Sequence, residues 1–137
     1  MDRALKYRSN IQEIPRIRED LDLLKQEWNI PDSEIRQIQV IIEELFSNIV
    51  RFAYNDKKEH LIDIRLGCSN SQIEIEIIDD GVAFNPLEYQ TGPLADPASS
   101  DAGGMGLTLI KAFSKDVSYQ RNAEKNHLKI NKTVKRK

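Results

Sequence analysis

Apolar residues recur at helical spacing in two stretches of the first half of the chain. The first stripe starts at Ile14 and ends at Trp28, with alternating steps of three and four residues. Pro31 interrupts this pattern, and a longer stripe of the same kind follows between Glu34 and about Tyr54. Because a helical period places such residues on one face, we predict two amphipathic helices that bury their apolar stripes.

The next two segments alternate apolar and polar residues, which is the pattern of half-buried strands. Leu61 to Leu66 and Ile73 to Ile78 flank a short polar turn and therefore predict a hairpin. The isoleucines of the second strand share one face, and Asp79 falls on that same face just past its end. The alternation thus predicts a carboxylate directed towards the buried side of the sheet.

A long segment without periodicity follows this hairpin. Pro86 to Gly104 contains three prolines together with several Gly, Ser and Asp residues, so we predict a surface loop. Loops of this length inside a domain often act as lids or binding loops. A short third helix should come next, with Leu107, Ile110 and Phe113 on its inner face.

Two further alternating segments lie near the end of the chain. Val117 to Arg121 and His127 to Asn131 flank a polar turn and predict a closing pair of strands. The resulting order of two helices, two strands, a helix and two strands is typical of an α+β fold. We expect a single domain, residues 1–137, built as a two-layer α/β sandwich with a mixed or antiparallel sheet and helices on one face.

The composition agrees with one globular domain that folds without a partner. Of the 137 residues, 39% are hydrophobic and 31% are charged, which is ordinary for such a domain. The 20 Lys and Arg residues are balanced by 22 Asp and Glu residues, so no basic field predicts direct nucleic-acid binding. No apolar run approaches membrane-spanning length, and the first ten residues lack the apolar stretch of a signal peptide. We therefore expect no membrane association.

Two local features refine this expectation. The single cysteine, Cys68, cannot form an internal disulfide and is predicted to lie in a polar turn with Gly67, Ser69 and Asn70, and this lone cysteine favours a reducing, cytoplasmic setting. The basic tail from Lys132 to Lys137 is expected to be a solvated chain end.

Three polar residues share one face of the second predicted helix. Glu44, Asn48 and Arg51 lie at positions i, i+4 and i+7, beside the apolar stripe. Carboxylate and carboxamide oxygens suit Mg²⁺ and its waters, while an arginine is suited to neutralising phosphate. The same residue types are common on solvated helix faces, so this spacing alone leaves both interpretations open.

Two loop segments carry further candidate chemistry. Asp79-Asp80-Gly81 is a turn signal, but the inward position of Asp79 also suits a buried carboxylate that accepts from the amino group of a base. The glycine cluster at residues 103–106 precedes a predicted helix, where free N–H groups and the helix dipole suit a phosphate. Such clusters also simply cap helices, so the glycines by themselves do not decide between the two roles.

Taken together, three segments resemble the N, G1 and G2 boxes of the GHKL ATPase superfamily, which has the Bergerat ATP-binding fold. These segments are Glu44-Leu45-Phe46-Ser47-Asn48, the stretch from Asp79 to Pro86, and the stretch from Gly103 to Ile110, and their order and spacing also fit. Within the superfamily the resemblance is strongest to the serine/threonine kinases that act as anti-sigma factors in bacterial partner switching. It covers nearly the whole chain.

The resemblance implies a role for each matching residue. Glu44 would be the general base acting on the attacking hydroxyl, and Asn48 would hold the Mg²⁺ that bridges the phosphates. Asp79 would accept from the adenine amino group, and Gly81 would let the backbone approach the base. The phosphates would be held by the start of the third helix and by Gly103, Gly104, Gly106, Leu107 and Thr108, with Arg51 as a further contact. The loop from Pro86 to Asp101 would close as the ATP lid.

By this resemblance the protein is a kinase that uses ATP and Mg²⁺ to phosphorylate a serine or threonine of an anti-sigma factor antagonist. The resemblance also implies a sigma factor as a further partner, and homodimerisation is compatible with the family. The alternative is a catalytically slow, nucleotide-binding adaptor that sequesters a protein partner. A detached ATPase domain of a histidine kinase is disfavoured, because the only histidines are His60, in a predicted loop, and His127, in a predicted strand.

Overall fold

A single antiparallel sheet forms one layer of the molecule. The computed structural model describes residues 1–85 and 110–135. Within them the strands are β1 (Asp2–Arg8), β2 (Leu61–Cys68), β3 (Gln72–Asp79), β4 (Asp116–Asn122) and β5 (Lys125–Thr133). Their order in the sheet is β1-β2-β3-β5-β4, and every neighbouring pair is antiparallel. The predicted hairpins are therefore both present, and β5 joins them by pairing with β3.

Two helices form the second layer. They are α1 (Ile14–Glu27), which follows a short 3₁₀ turn, and α2 (Asp32–Phe52); residues 110–113 are also helical. Their apolar stripes and the inward positions of the strands form one core, which includes Leu21, Ile38, Phe46, Ile64, Ile75 and Ile130, each at most 1% exposed. Full burial of a side chain of this kind contributes about 1.5–3 kcal/mol. The predicted α+β sandwich with helices on one face is confirmed.

The predicted order of elements was incomplete, because it lacked the N-terminal strand β1. Charged residues stand on both faces of this strand, so its alternation is hidden in the sequence. Its inward Tyr7 is 1% exposed, donates to Asp20 Oδ2 at 2.6 Å, and lies under the guanidinium of Arg16. The strand is held by β2, more than fifty residues away, and by these contacts to α1.

Two further expectations from the sequence were wrong. Lys132 does not belong to a solvated tail, because it occupies an inward position of β5 and is only 3% exposed. Its Nζ donates to Glu34 Oε2 at 2.6 Å, and Glu34 is itself buried at the start of α2. Cys68 is the last residue of β2 and is buried, whereas the sequence pattern predicts a position within the polar turn. Both corrections arise because the strands extend further than the apolar pattern indicates.

The buried ion pair gives a prediction about stability. Lys132→Met is expected to lower the free energy of unfolding by about 3–5 kcal/mol, because the Glu34 carboxylate would stay buried without a counter-charge. The double variant Glu34→Met, Lys132→Met should recover most of this loss, since an apolar pair needs no charge compensation. Urea unfolding of all variants would measure both effects.

A matched control lies on the exposed face of the same strand. Lys129 pairs with Glu74 at 3.9 Å, and both side chains are about half exposed. Lys129→Met should therefore change stability by less than about 1 kcal/mol. If Lys132→Met and the double variant lose the same free energy of unfolding, the unpaired charge of Glu34 is not the cause of the loss.

No helix within the described residues is both long enough and apolar enough to cross a membrane.

Candidate functional site

The polar face of α2 carries two buried oxygens to which no described residue donates a hydrogen bond. Asn48 is 3% exposed and Glu44 is half-buried one turn before it. Within the described residues neither Glu44 Oε1 nor Asn48 Oδ1 has a hydrogen-bond partner. Leaving a buried acceptor unsatisfied costs about 1–3 kcal/mol, so two adjacent ones indicate a position for a cation or a donor.

The electrostatics of Glu44 fit a reactive carboxylate. Burial raises the pKa of Glu44, although the nearby charge of Arg51 and a hydrogen bond from Asn48 partly oppose the shift. Arg51 itself is exposed, one turn beyond Asn48. The structure therefore brings the three predicted residues together on one face, at the boundary between the core and solvent.

The second group of the site is the carboxylate at the end of β3. Asp79 is 3% exposed and lies on the inward face, as its position in the strand predicts. Its Oδ1 accepts from Gly81 N at 2.9 Å and from Asn126 Nδ2 at 2.9 Å. Among the described residues, these hydrogen bonds both end on Oδ1, which leaves Oδ2 available to a ligand. Burial raises the pKa of Asp79, and the two hydrogen bonds oppose that shift.

Gly81 is required by packing as well as by any contact with a ligand. A Cβ at this position would lie 2.3 Å from the carbonyl oxygen of Ala53, at the end of α2. The next residue, Val82, donates its N–H to that same oxygen at 2.8 Å. The glycine thus lets the turn after β3 close against α2, which is a structural role that the sequence did not indicate.

A small cavity connects α2 with the sheet beside Asp79. Its volume is about 10 Å³, and it is lined by Ile49, Ile77, Asp79, Phe84, Tyr119, Asn126 and Leu128. The α2 residue in this lining is Ile49, which directly follows Asn48 in the chain. A volume of this size holds about one water molecule, so a purine base would enter only if part of the lining moved. Phe84, whose ring centroid lies 6.0 Å from that of Phe52, forms part of this lining.

The sequence analysis missed the polar residues contributed by the last two strands. Asn126 is 3% exposed and hydrogen bonds to Asp79, while Tyr119 and Arg121 both donate to Asn126 Oδ1. The sequence pattern predicts that the last strand begins at His127, which would leave Asn126 in a turn. It begins at Lys125, and the inward alternation that indicated Asp79 then also indicates Asn126.

The phosphate-binding residues predicted from the glycine cluster lie outside the described residues. They are Gly103, Gly104, Gly106, Leu107 and Thr108, and the predicted lid from Pro86 to Asp101 lies there too. The site described above therefore consists of the α2 face and the Asp79 cavity.

Residues 7–132 match the family model described as the histidine kinase-like ATPase domain. The chain belongs to this family. Membership implies ATP as the nucleotide. The resemblance inferred from the three sequence segments is thus confirmed at the level of the family.

Named relatives of this ATPase domain include kinases and anti-sigma factors. The chain is 32% identical over 89 residues to the serine/threonine-protein kinase BtrW of Bordetella bronchiseptica, which covers 64% of this chain and 63% of that protein. It is 36% identical over 88 residues to the serine-protein kinase RsbW of Oceanobacillus iheyensis, which covers 61% and 56%. The anti-sigma F factor of the same organism is 27% identical over 93 residues, covering 67% and 64%. The matches thus span less than two thirds of each relative.

A solved structure supports the fold of the ATPase domain. The RsbU and RsbW domains of a Mycobacterium tuberculosis protein align with a TM-score of 0.71 at 15% identity. The alignment covers 100% of this chain and 33% of that one. At this identity the likeness establishes the arrangement of helices and sheet.

Proposed function

We propose that this chain binds Mg-ATP and transfers the γ-phosphoryl group to a serine or threonine of a protein partner, an anti-sigma factor antagonist. The observation that carries the proposal is the pair of buried oxygens Glu44 Oε1 and Asn48 Oδ1, which have no hydrogen-bond partner among residues 1–85 and 110–135. They lie on α2, the helix that also contributes Ile49 to the Asp79 cavity. The names of the kinase and anti-sigma relatives support the direction of the proposal.

The residues present fit a magnesium ion that is shared with the nucleotide. Within residues 1–85 and 110–135, no cluster of three or more His, Cys, Asp or Glu side chains forms a self-contained metal site. Mg²⁺ is usually held by one or two protein oxygens together with phosphate oxygens and water, which suits Asn48 Oδ1 beside Glu44. When bound, the ion would neutralise phosphate charge.

Each remaining group of the protein has its own role in nucleotide binding or phosphoryl transfer. Glu44 accepts the proton of the attacking hydroxyl, because it lies beside Asn48, the proposed metal ligand, and burial makes its carboxylate more basic. Arg51 contributes positive charge near the phosphates, and the glycine cluster at residues 103–106 supplies backbone N–H groups. Asp79 Oδ2 accepts from the amino group of adenine. Phosphoryl transfer depends mainly on positioning and charge neutralisation, so this set is sufficient.

The partners belong to the proposal as well. A sigma factor is the second protein that such a kinase would hold, and the whole of residues 1–137 would act as one domain. The outer edges of β1 and β4 have no strand partner among the described residues, which is compatible with homodimerisation.

Calorimetric titration with nucleotide tests the metal assignment. The wild-type protein should bind Mg-ATP at a ratio of one to one. Asn48→Ala should weaken Mg-ATP binding at least about tenfold and metal-free ATP binding much less, because its oxygen acts on the ion. Gln39→Ala removes a carboxamide from the exposed surface of α2 and should change neither affinity. Equal losses for both ligands would contradict the assignment of Asn48.

A transfer assay separates the kinase from the slow adaptor. The protein is used to isolate its partner by affinity purification, and γ-labelled ATP is then added to the complex. Label on a serine or threonine of the partner would support the kinase. Saturable Mg-ATP binding without transfer would leave the adaptor, and absence of any ATP binding would reject both.

A further inference from the structure

We propose that Asn126 is a positioning residue that gives the site its preference for a 6-amino purine over a 6-oxo purine, because it holds the Asp79 carboxylate as a hydrogen-bond acceptor. The inference rests on the proposed function, in which the base lies beside Asp79. It goes further by assigning base selectivity to a residue of β5.

The amide of Asn126 uses both of its hydrogens. Nδ2 donates to Asp79 Oδ1 at 2.9 Å and to the carbonyl oxygen of Val82 at 2.8 Å. The first bond reaches the candidate base-recognition group, and the second reaches the turn that follows it. Asn126 is 3% exposed, so water does not compete for these bonds.

Three donors on the opposite side determine which way the amide points. Asn126 Oδ1 accepts from Tyr119 Oη at 2.5 Å, from Phe84 N at 3.2 Å and from Arg121 Nη1 at 3.2 Å. If the amide were flipped, its NH₂ group would face these three donors, and its oxygen would face the Asp79 carboxylate. The network therefore requires Asn126 to present a donor to Asp79.

This arrangement determines what Asp79 can recognise. The two N–H groups on Oδ1 favour the ionised carboxylate and so oppose the effect of burial, and in that ionised form the second oxygen, Oδ2, can only accept. An acceptor pairs with the 6-amino group of adenine and is repelled by the 6-oxo oxygen of hypoxanthine or guanine. A protonated Asp79 would reverse this, because its O–H would donate to a 6-oxo group.

The groups around Asp79 have opposing effects on its pKa. Burial and the neighbouring Asp80 raise its pKa, while the hydrogen bonds from Asn126 and Gly81 and the charge of Arg121 lower it. Tyr54, two residues past the end of α2, also interacts electrostatically with Asp79. Removing the Asn126 donor would therefore shift the balance towards the protonated form.

The test compares ATP with inosine triphosphate (ITP), which carries a 6-oxo group but lacks the 2-amino group of guanine. Dissociation constants for the Mg complexes are measured by calorimetry at about pH 6 and about pH 8. The wild type should prefer ATP by about 10- to 100-fold or more, since an unpaired or repelled buried acceptor is costly. Any change with pH should be a smaller preference at the lower pH, because the protonated form of Asp79 would donate to a 6-oxo group and its pKa is raised by burial.

Asn126→Asp is the decisive variant. The new carboxylate keeps an oxygen for the three donors but has a second oxygen in place of the Nδ2 donor. This carboxylate and that of Asp79 should therefore share a proton. We expect the ATP/ITP ratio to fall at least about tenfold relative to the wild type, mainly through weaker ATP binding. Asn131→Asp, on the outward face of the same strand, is the matched control and should keep the wild-type ratio.

Each remaining outcome is informative. Tyr119→Phe removes one donor to Asn126 Oδ1 without adding charge, so it should lower the ATP/ITP ratio by a smaller factor than Asn126→Asp. This variant replaces Asn126→Asp in the test if the latter does not fold. A wild-type ATP/ITP ratio in every Asn126 and Tyr119 variant at both pH values would overturn the inference while ATP binding stands. Failure of the wild type to bind either nucleotide would reject the proposed function and the inference together.

Discussion

Replacing Glu44 with glutamine is expected to reduce phosphoryl transfer by about 10²- to 10⁴-fold while Mg-ATP affinity stays within about threefold of the wild type. Glutamine keeps the shape of the side chain but cannot accept a proton from the attacking hydroxyl. The wild-type carboxylate can, because Glu44 Oε1 is buried without a partner among the described residues and its pKa is raised by burial. Labelled-phosphate transfer and calorimetry on the same preparations would measure the two quantities.

The adjacent glutamate provides the control for this experiment. Glu43 lies one position earlier on α2, where its carboxylate forms two hydrogen bonds of 2.8 Å with the exposed Arg18. Glu43→Gln removes the same charge from the same helix and should leave the transfer rate unchanged. Equal rates for Glu44→Gln and the wild type would exclude Glu44 as the base.

The pH profile supplies an independent check on Glu44. A general base works only when deprotonated, so the transfer rate should fall as the pH drops through the raised pKa of this group. That fall should occur above the ordinary glutamate value of about 4.3. The residual activity of Glu44→Gln should lack this limb of the profile.

Asp79→Asn is expected to weaken ATP binding by about 10- to 100-fold or more. The single remaining oxygen would be held by the N–H donors of Gly81 and Asn126, so the new NH₂ group would take the place of Oδ2. Two donors would then face each other at the adenine amino group. Calorimetry with Mg-ATP would measure the loss, and binding of ITP should improve relative to ATP.

The neighbouring aspartate tests whether this effect is specific. The Asp80 side chain is 47% exposed, and its Oδ1 accepts from the hydroxyl of Tyr54. Asp80→Asn changes charge by the same amount at almost the same place and should alter ATP affinity by less than about threefold. Similar losses in both variants would indicate a general electrostatic effect in place of a direct contact.

The elements defined by local periodicity could be predicted from the sequence. The apolar stripe of α2 positions Glu44 and Asn48 on one side of it, since the helix repeat determines which residues share a face. The alternation in β3 likewise predicts that Asp79 points inward. Both inferences use only neighbours within one element. The phosphate-binding glycines stay a prediction, because they lie outside the described residues.

The features that depend on distant pairing were decided by the tertiary structure. β1 exists because β2 and α1 hold it, although its own residues lack a clear apolar face. The ends of β5 are determined by its pairing with β3, where Asp79 lies opposite Asn126 and Ile73 lies opposite Lys132. Strand alternation determines the side on which a residue lies only once the ends of the strand are known, and those ends depend on the partner strand. The sequence by itself therefore determined the helix face and the inward Asp79, whereas only the folded sheet placed Asn126 against Asp79 and Lys132 against Glu34.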